Sequence, residues 1–139
     1  MMSYRIDRGR RLVEVVGTGD LTGEEITAIQ AEMAADPEFD PTFAALVDFG
    51  AANFSAVPPS TARDHAEQHP FDPASPVAVL VASDYDSGMV RLFASFTELM
   101  GGDGHVRAFR DRKSALAWIE AVRNGAADDP PTGDQEASS

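Results

Sequence analysis

The chain has 139 residues, of which 23 are Asp or Glu and 11 are Lys or Arg, so that its formal net charge is -12. Domains cluster at about 100–150 residues, so this length predicts one domain, and the acidity argues against nonspecific binding to nucleic-acid phosphates. Because the sequence has no cysteine, disulfide bonds, thiolate zinc sites and thiol catalysis are excluded.

The sequence predicts no membrane span and no N-terminal signal peptide. No stretch approaches the roughly 18 consecutive apolar residues of a membrane span, and the charged N-terminus lacks the apolar core of a signal peptide. We therefore expect a cytoplasmic protein. Residues 125–139 hold four acids and no base and predict a disordered acidic tail behind a domain over residues 1–124.

The N-terminal region predicts a β-hairpin followed by a helix. Residues 4–7 and 11–17 have the pattern of strands, and Gly9 between them is expected to supply the positive φ of a tight turn. Gly17-Thr18-Gly19-Asp20 is then expected to interrupt the pattern. Thr22 and Glu25 have the spacing of a capping box, which predicts a helix over residues 23–35 that ends before Pro37.

The middle of the chain contains two apolar runs, residues 43–49 and 76–83. Runs of this kind predict strands that are covered on both faces of an α/β sheet. Residues 50–75 lie between them and contain four prolines. Within this segment, residues 60–68 are compatible with one short helix, which has few apolar residues to bury.

The C-terminal region predicts a helix, a strand and a last helix. The first of these begins at Asp86, and its apolar residues recur at a spacing that places them on one face, namely Met89, Leu92, Phe93, Phe96, Leu99 and Met100. Residues 101–102 are expected to end it, residues 105–110 predict a more exposed strand, and Asp111 is the predicted N-cap of a helix over residues 112–123. The element order predicts one α/β domain with a mixed, mostly parallel sheet of about five strands and about four helices.

Several short motifs follow one another along this chain. They are Gly19-Asp20-Leu21-Thr22, Leu46-Val47-Asp48, Gly88-Met89-Val90-Arg91, the pair Val106 and Phe109, and the pair Ala115 and Trp118. In this order and spacing, over residues 3–123, they resemble the SpoIIAA-like (STAS/SEC14) family of small bacterial proteins. The resemblance implies a STAS-like α/β domain, related to anti-sigma-factor antagonists, which are non-enzymatic switches that dock on partner proteins. Its SEC14 side implies a lipid-carrier fold with an apolar pocket.

The regulatory serine of those antagonists does not transfer to this sequence. In many of them, a Ser that directly follows an Asp is phosphorylated at the start of the helix after the third strand. Here Asp48 is followed by Phe49, and the nearest hydroxyl groups belong to Ser55, Ser60 and Thr61. A phosphate on Ser60 would suit a helix N-terminus, but we favour Ser60 as an ordinary N-cap and expect no phosphosite.

For each of the remaining motifs, we favour a structural role over a catalytic or metal-binding one. Asp64, His65 and His69 have a helical metal-ligand spacing but lack further ligands, so we expect exposed histidines and no metal or cofactor. The glycines of residues 17–19 and 101–104 match no phosphate-binding motif and predict turns, and no nucleophile elbow indicates a hydrolase. An enzyme would instead need Asp48, His65 and Arg91 to converge.

The favoured function is a non-enzymatic regulatory module that docks on a protein partner. The docking surface is expected around residues 48–60 and the helix over 86–100, and an acidic body favours a basic partner. The alternative is a carrier that holds a small apolar ligand between that helix and the sheet, although simple core packing also explains the apolar stripe. Pairing of an edge strand with that of a second copy is compatible with a homodimer. The candidate site residues are Asp48, Phe49, Ser55, Ser60, Met89, Arg91, Phe93 and Phe96.

Overall fold

The computed structural model of the protein describes residues 1–99 and 105–125. Within them the chain forms five strands and four helices, in the predicted order. A 3-10 turn at Pro59–Thr61 precedes the second helix. The elements are β1 (Met2–Asp7), β2 (Leu12–Asp20), α1 (Gly23–Ala35), β3 (Ala44–Asn53), α2 (Ala62–Gln68), β4 (Val77–Leu80), α3 (Asp84–Leu99), β5 (Val106–Phe109) and α4 (Arg112–Arg123).

The five strands form one sheet in the order β1-β2-β3-β4-β5. β1 is antiparallel to β2, whereas β2, β3, β4 and β5 run parallel to one another. This confirms the predicted single α/β domain with a mixed, mostly parallel sheet. No helix of the described residues is long and apolar enough to cross a membrane.

Alternation along the strands divides the core between the two faces of the sheet. In β3, Ala45 and Val47 point to the face covered by α1, α2 and α3, which we call the three-helix face. Ala44 and Leu46 point to the opposite face, where α4 packs through Ala115, Trp118 and Ile119; we call it the α4 face. β4 is buried on both faces, as its continuous apolar run predicts.

The hairpin between β1 and β2 lies where it was predicted, but its turn uses another residue. Arg11, not Gly9, has a positive φ, of 54°, because the loop closes at its last position, where the Arg11 N–H donates to Arg8 O at 3.3 Å. The Arg123 guanidinium at the end of α4 donates to the carbonyl oxygens of Arg10 and Arg11. A residue without glycine's freedom is thus held in a left-handed conformation by a distant side chain.

β2 continues through the glycine-rich segment that was predicted to end it. Thr18, Gly19 and Asp20 pair with β3 as far as Asn53, after a register shift between Val16 and Thr18. The prediction of a turn at residues 17–20 was wrong, because a β-bulge absorbs the irregularity without ending the pairing.

Local capping signals place two helices at their predicted bounds. Glu25 N–H donates to Thr22 Oγ1 at 3.1 Å, and Thr22 N–H donates to Glu25 Oε1 at 3.2 Å, which confirms the capping box of α1. At α4, Ser114 N–H donates to Asp111 Oδ1 at 2.8 Å, which confirms that N-cap. Both helices have the bounds that the sequence predicts.

The start of α2 differs from the prediction. Ser60 is not an N-cap, because it lies inside the 3-10 turn and the helix begins two residues later, at Ala62. Thr61 does not cap the helix with its side chain either, since its hydroxyl donates to Pro58 O at 2.7 Å. The prolines therefore tighten the chain into a 3-10 turn before the α-helix can begin.

α3 begins earlier than predicted, and its buried residues differ from the predicted apolar stripe. It starts at Asp84, and Ser83 Oγ accepts a hydrogen bond of 3.1 Å from Asp86 N–H. Its buried residues are Asp86, Val90 and Thr97, whereas Leu99 of the predicted apolar stripe is 80% exposed. Met100, the glycines at 101–104 and residues 126–139 of the predicted tail lie outside the described residues.

Candidate functional site

A cavity of about 140 Å³ lies between the sheet and α1, α2 and α3. It is partly open to solvent, and every helix of the three-helix face contributes to its wall. Its lining comprises Met2, Val15, Val47, Phe49, Val77 and Val79 from the strands; Ile26, Ile29, Gln30 and Met33 from α1; Ala62 and His65 from α2; Met89, Val90 and Phe93 from α3; and Phe54, Val57, His69, Pro70 and Phe71 from the loops.

The size of this cavity suits a single ring rather than a long chain. A cavity of about 150 Å³ with leucine, isoleucine and phenylalanine walls is known to stay dry and to bind benzene. The present lining is of the same kind, with valine, isoleucine, methionine and phenylalanine side chains. The cavity can therefore hold an apolar group of about the size of a benzene ring.

No lining residue carries a formal charge, since none of the described residues in the wall is Asp, Glu, Lys or Arg. The polar members are Gln30, His65 and His69. The wall thus supplies apolar contact together with a few neutral hydrogen-bonding groups, which is the usual composition of a small-molecule site.

Gln30 and His65 are both buried and bind α1 to α2. Gln30 Nε2 donates to the backbone oxygen of His65 at 3.1 Å, and His65 Nε2 lies 3.3 Å from Gly23 O. Because a carbonyl oxygen only accepts, this contact places a proton on His65 Nε2. Among the described residues, Gln30 Oε1 is a buried oxygen with no hydrogen-bond donor.

His69 is the half-buried polar group of the wall. Its ring lies against the rings of Phe93 and Phe71, with centroids 5.7 and 6.4 Å away. Burial lowers the pKa of His69 below its ordinary value of 6.5, which favours the neutral imidazole at pH 7. Within the described residues its two nitrogens make no hydrogen bond, and a neutral imidazole offers one donor and one acceptor.

Gly17 makes room for one wall of the cavity. A Cβ atom built on Gly17 would lie 2.6 Å from Cε1 of Phe49, so no larger residue fits without moving that ring. The Phe49 ring packs edge-on against Phe54, with centroids 5.0 Å apart, and both rings line the cavity. Position 17 therefore requires glycine because the Phe49 ring approaches the backbone closely, and not because the chain turns there.

Three of the predicted site residues line this cavity. They are Phe49, Met89 and Phe93. Phe96, which was expected beside Phe93, is half-buried and does not reach the lining. Ser55 and Ser60 are exposed, and Ser55 N–H donates to Asn53 Oδ1 at 2.9 Å.

The predicted polar residues lie elsewhere. Arg91 is exposed and donates to Ser87 Oγ at 3.1 Å, whereas Asp84 at the start of the same helix pairs with Arg110 at 2.6 Å. Asp48 is not at the end of its strand, because β3 continues to Asn53. Its Oδ1 accepts from Gly50 N–H at 3.0 Å.

The sheet separates the groups that an enzyme was expected to bring together. Asp48 follows Leu46 by two residues and so points to the α4 face, whereas His65 lines the cavity on the three-helix face. The expectation of exposed histidines was also wrong, because His65 is buried and His69 half-buried. In the described part of the chain, no group of three or more His, Cys, Asp or Glu could hold a metal ion.

Sequence reasoning missed Gln30, which stands out only on a helix wheel. Ile26, Gln30 and Met33 follow one another at i, i+4 and i+7, so a polar residue sits on the apolar face of α1. That placement was the available signal. The loop residues Val57 and His69 carry no comparable mark, because they reach the cavity only once the whole fold has formed.

Comparison with known proteins gives the fold. No protein-family model and no curated protein matches the chain. Among solved structures, it is similar to an uncharacterized protein of the DUF3478 family from Shewanella loihica PV-4, which has a SpoIIAA-like fold. The TM-score is 0.56 and the sequence identity 20%, over 85% of this chain and 93% of that chain. The protein therefore has a SpoIIAA-like fold, as its sequence motifs predict.

Proposed function

We propose that this SpoIIAA-like domain is a non-enzymatic binding module whose ligand is a small apolar molecule, held between the sheet and α1, α2 and α3. The observation that carries the proposal is the partly open cavity of about 140 Å³ with its apolar lining. The neutral polar groups of its wall, and the position of Asp48 on the opposite face of the sheet from His65, favour binding over catalysis.

The energetics of such a cavity support a ligand. Closed cavities in protein cores cost about 24 cal/mol per Å³, or about 3 kcal/mol for this volume. Because this cavity is partly open to solvent, that figure is an upper bound on the cost of leaving it without a ligand. A ligand that fills the space restores the missing contacts, and Met89, Phe93 and Phe49 provide adaptable walls for it.

Docking on a protein partner is a second candidate function, since domains of this fold are often regulatory. Two large hydrophobic side chains of α3 favour it, because Tyr85 is 53% exposed and Leu99 is 80% exposed. In that case Leu99→Ser would weaken capture of a partner, while the binding of small molecules in the cavity would be unchanged.

Native mass spectrometry of the protein as purified from cells tests the first proposal, under gentle and then denaturing conditions. We expect an added small-molecule mass that is lost on denaturation. Val79→Phe, which projects a ring into the cavity, is expected to abolish it. The matched control is Val16→Phe, since Val16 lies outside the cavity lining and is 41% exposed.

Toluene titration followed by NMR provides the second readout. Wild type and Val16→Phe should bind toluene, and Val79→Phe should not, although circular dichroism shows it folded. If a folded wild-type protein carries no added mass and binds no toluene, the cavity is not a ligand site and the proposal fails.

A further inference from the structure

The lining of the cavity restricts the charge of its ligand. A carboxylate or an ammonium group in this wall would find no opposite charge among the lining residues, and an unpaired buried ion is costly. The arginines of α2 and α3 are engaged at the surface, where Arg63 pairs with Glu67 at 3.4 Å and Arg91 donates to Ser87. The net charge of -12 further disfavours an anion.

The polar groups of the wall restrict the functional group that the ligand carries. Gln30 Nε2 is committed to His65 O, and Gln30 Oε1 is buried away from solvent. His65 Nε2 is committed to Gly23 O. Among the described residues of the lining, His69 is the polar side chain that is half-buried rather than buried and that makes no hydrogen bond.

A hydroxyl group matches His69 in this state. A neutral imidazole offers one donor and one acceptor, and a hydroxyl likewise donates one hydrogen bond and accepts others. The Phe71 and Phe93 rings beside His69 give an apolar surface against which the remainder of a ring-sized ligand can pack.

We infer that the ligand is an uncharged molecule of about the size of a substituted benzene ring, whose hydroxyl group binds His69 in the wall of the cavity. This inference rests on the proposed function and narrows it. It excludes carboxylate ligands such as fatty-acid anions, and it makes His69 the residue that determines specificity.

Three probes that share a methylbenzene body test the inference at pH 7.5: toluene, p-cresol and 4-methylbenzoate. One net hydrogen bond contributes about 0.5–1.5 kcal/mol, so p-cresol should bind about two- to twelvefold more tightly than toluene. 4-Methylbenzoate should bind at least about tenfold more weakly than p-cresol, because its carboxylate is buried without a cation. Affinities are measured by NMR titration of the full chain.

Two variants of His69 assign the preference to its ring. His69→Phe should keep toluene binding and lose the advantage of p-cresol, whereas His69→Gln, which keeps a donor and an acceptor, should retain it. The matched control is His105→Phe, since His105 lies outside the cavity lining and its Nδ1 is 3.0 Å from Ala74 O.

The outcomes separate this inference from the proposal on which it rests. Equal affinity for toluene and p-cresol, or equally tight binding of 4-methylbenzoate, overturns the inference while the cavity remains a binding site. An unchanged p-cresol preference in His69→Phe also overturns it. Failure of all three probes to bind the folded protein overturns the proposed function itself.

Discussion

Gln30 in α1 donates a hydrogen bond of 3.1 Å from Nε2 to the backbone oxygen of His65 in α2. This one contact fixes the amide so that its oxygen remains in the cavity wall without a donor from the described residues. The two helices that form one side of the cavity are thereby joined through a buried amide group. Among the described residues, its nitrogen has a hydrogen-bond partner and its oxygen has none.

The effect of a Gln30 substitution on the free energy of unfolding should therefore depend more on the charge of the new side chain than on the lost hydrogen bond. In Gln30→Met, the loss of one bond is offset by removal of the unpaired oxygen, so the free energy of unfolding should change by less than about 1 kcal/mol. Gln30→Glu buries a charge without a partner and should lower it by about 2 kcal/mol or more at pH 7. Urea denaturation measures both. Equal effects of the two substitutions would contradict this account.

Gly17→Ala should disturb the cavity through Phe49. The added methyl group lies 2.6 Å from the Phe49 ring, so the ring must move, at a cost of about 1–3 kcal/mol in the free energy of unfolding. Because the ring lines the cavity, toluene affinity should change as well, which NMR titration detects.

Gly9→Ala is the control for this substitution. Its Cβ would lie 3.5 Å from Asp7 Oδ1, an ordinary contact, and Gly9 does not have a positive φ. Stability and toluene affinity should both be unchanged. A Gly17→Ala protein with wild-type stability and affinity would show that the Phe49 ring is not constrained by this close approach.

The stability of the protein should fall as the pH is lowered below the ordinary histidine pKa of 6.5, in part because of His69. Burial lowers the pKa of His69 in the folded state, so the unfolded chain binds a proton first. The free energy of unfolding then decreases with falling pH between 6.5 and the lower, folded-state pKa. Comparison of wild type with His69→Phe by urea denaturation at pH 7.5 and 5.5 isolates this contribution. The variant should lose less stability than wild type, and an equal loss would show that His69 is protonated in the folded protein.

Arg11→Gly should stabilise the hairpin turn. Arg11 has a φ of 54°, which costs a residue with a side chain about 1–2 kcal/mol, while glycine loses about 0.5–1 kcal/mol through the entropy of the unfolded chain. A net gain of about 0.5 kcal/mol in the free energy of unfolding is expected from thermal denaturation. Arg10→Gly, at a position without positive φ, should reduce stability instead.

The parts of the fold that could be predicted from the sequence are those with local causes. α1 has its predicted bounds because Thr22 and Glu25 cap one end and Pro37 follows the other. The buried face of α3 was predicted less well. Asp86 and Thr97 are buried, and Thr97 satisfies its hydroxyl locally by donating to Ala94 O at 2.7 Å. Hydrophobicity alone does not mark such residues.

The candidate site could be predicted only in part, because its wall is assembled from distant segments. Phe49, Met89 and Phe93 were identified as apolar residues of strands or helices that face the core. Gln30 was not identified, and His69 was considered only as a metal ligand, because their place in the wall depends on how α1 and the loop after α2 are positioned over the sheet. The polar residues Asp48 and Arg91 were chosen by their position in predicted elements, and the fold directs them away from the cavity.

The cavity beneath the three helices also has a mechanical consequence. Its volume corresponds to about 80 mL per mole, and the part that water does not fill adds to the volume decrease on unfolding, which is roughly 20–100 mL/mol for proteins. Hydrostatic pressure should therefore unfold the free protein readily, beginning where α1, α2 and α3 meet the sheet. A ring-sized ligand fills that space, so the complex should withstand higher pressure than the protein alone.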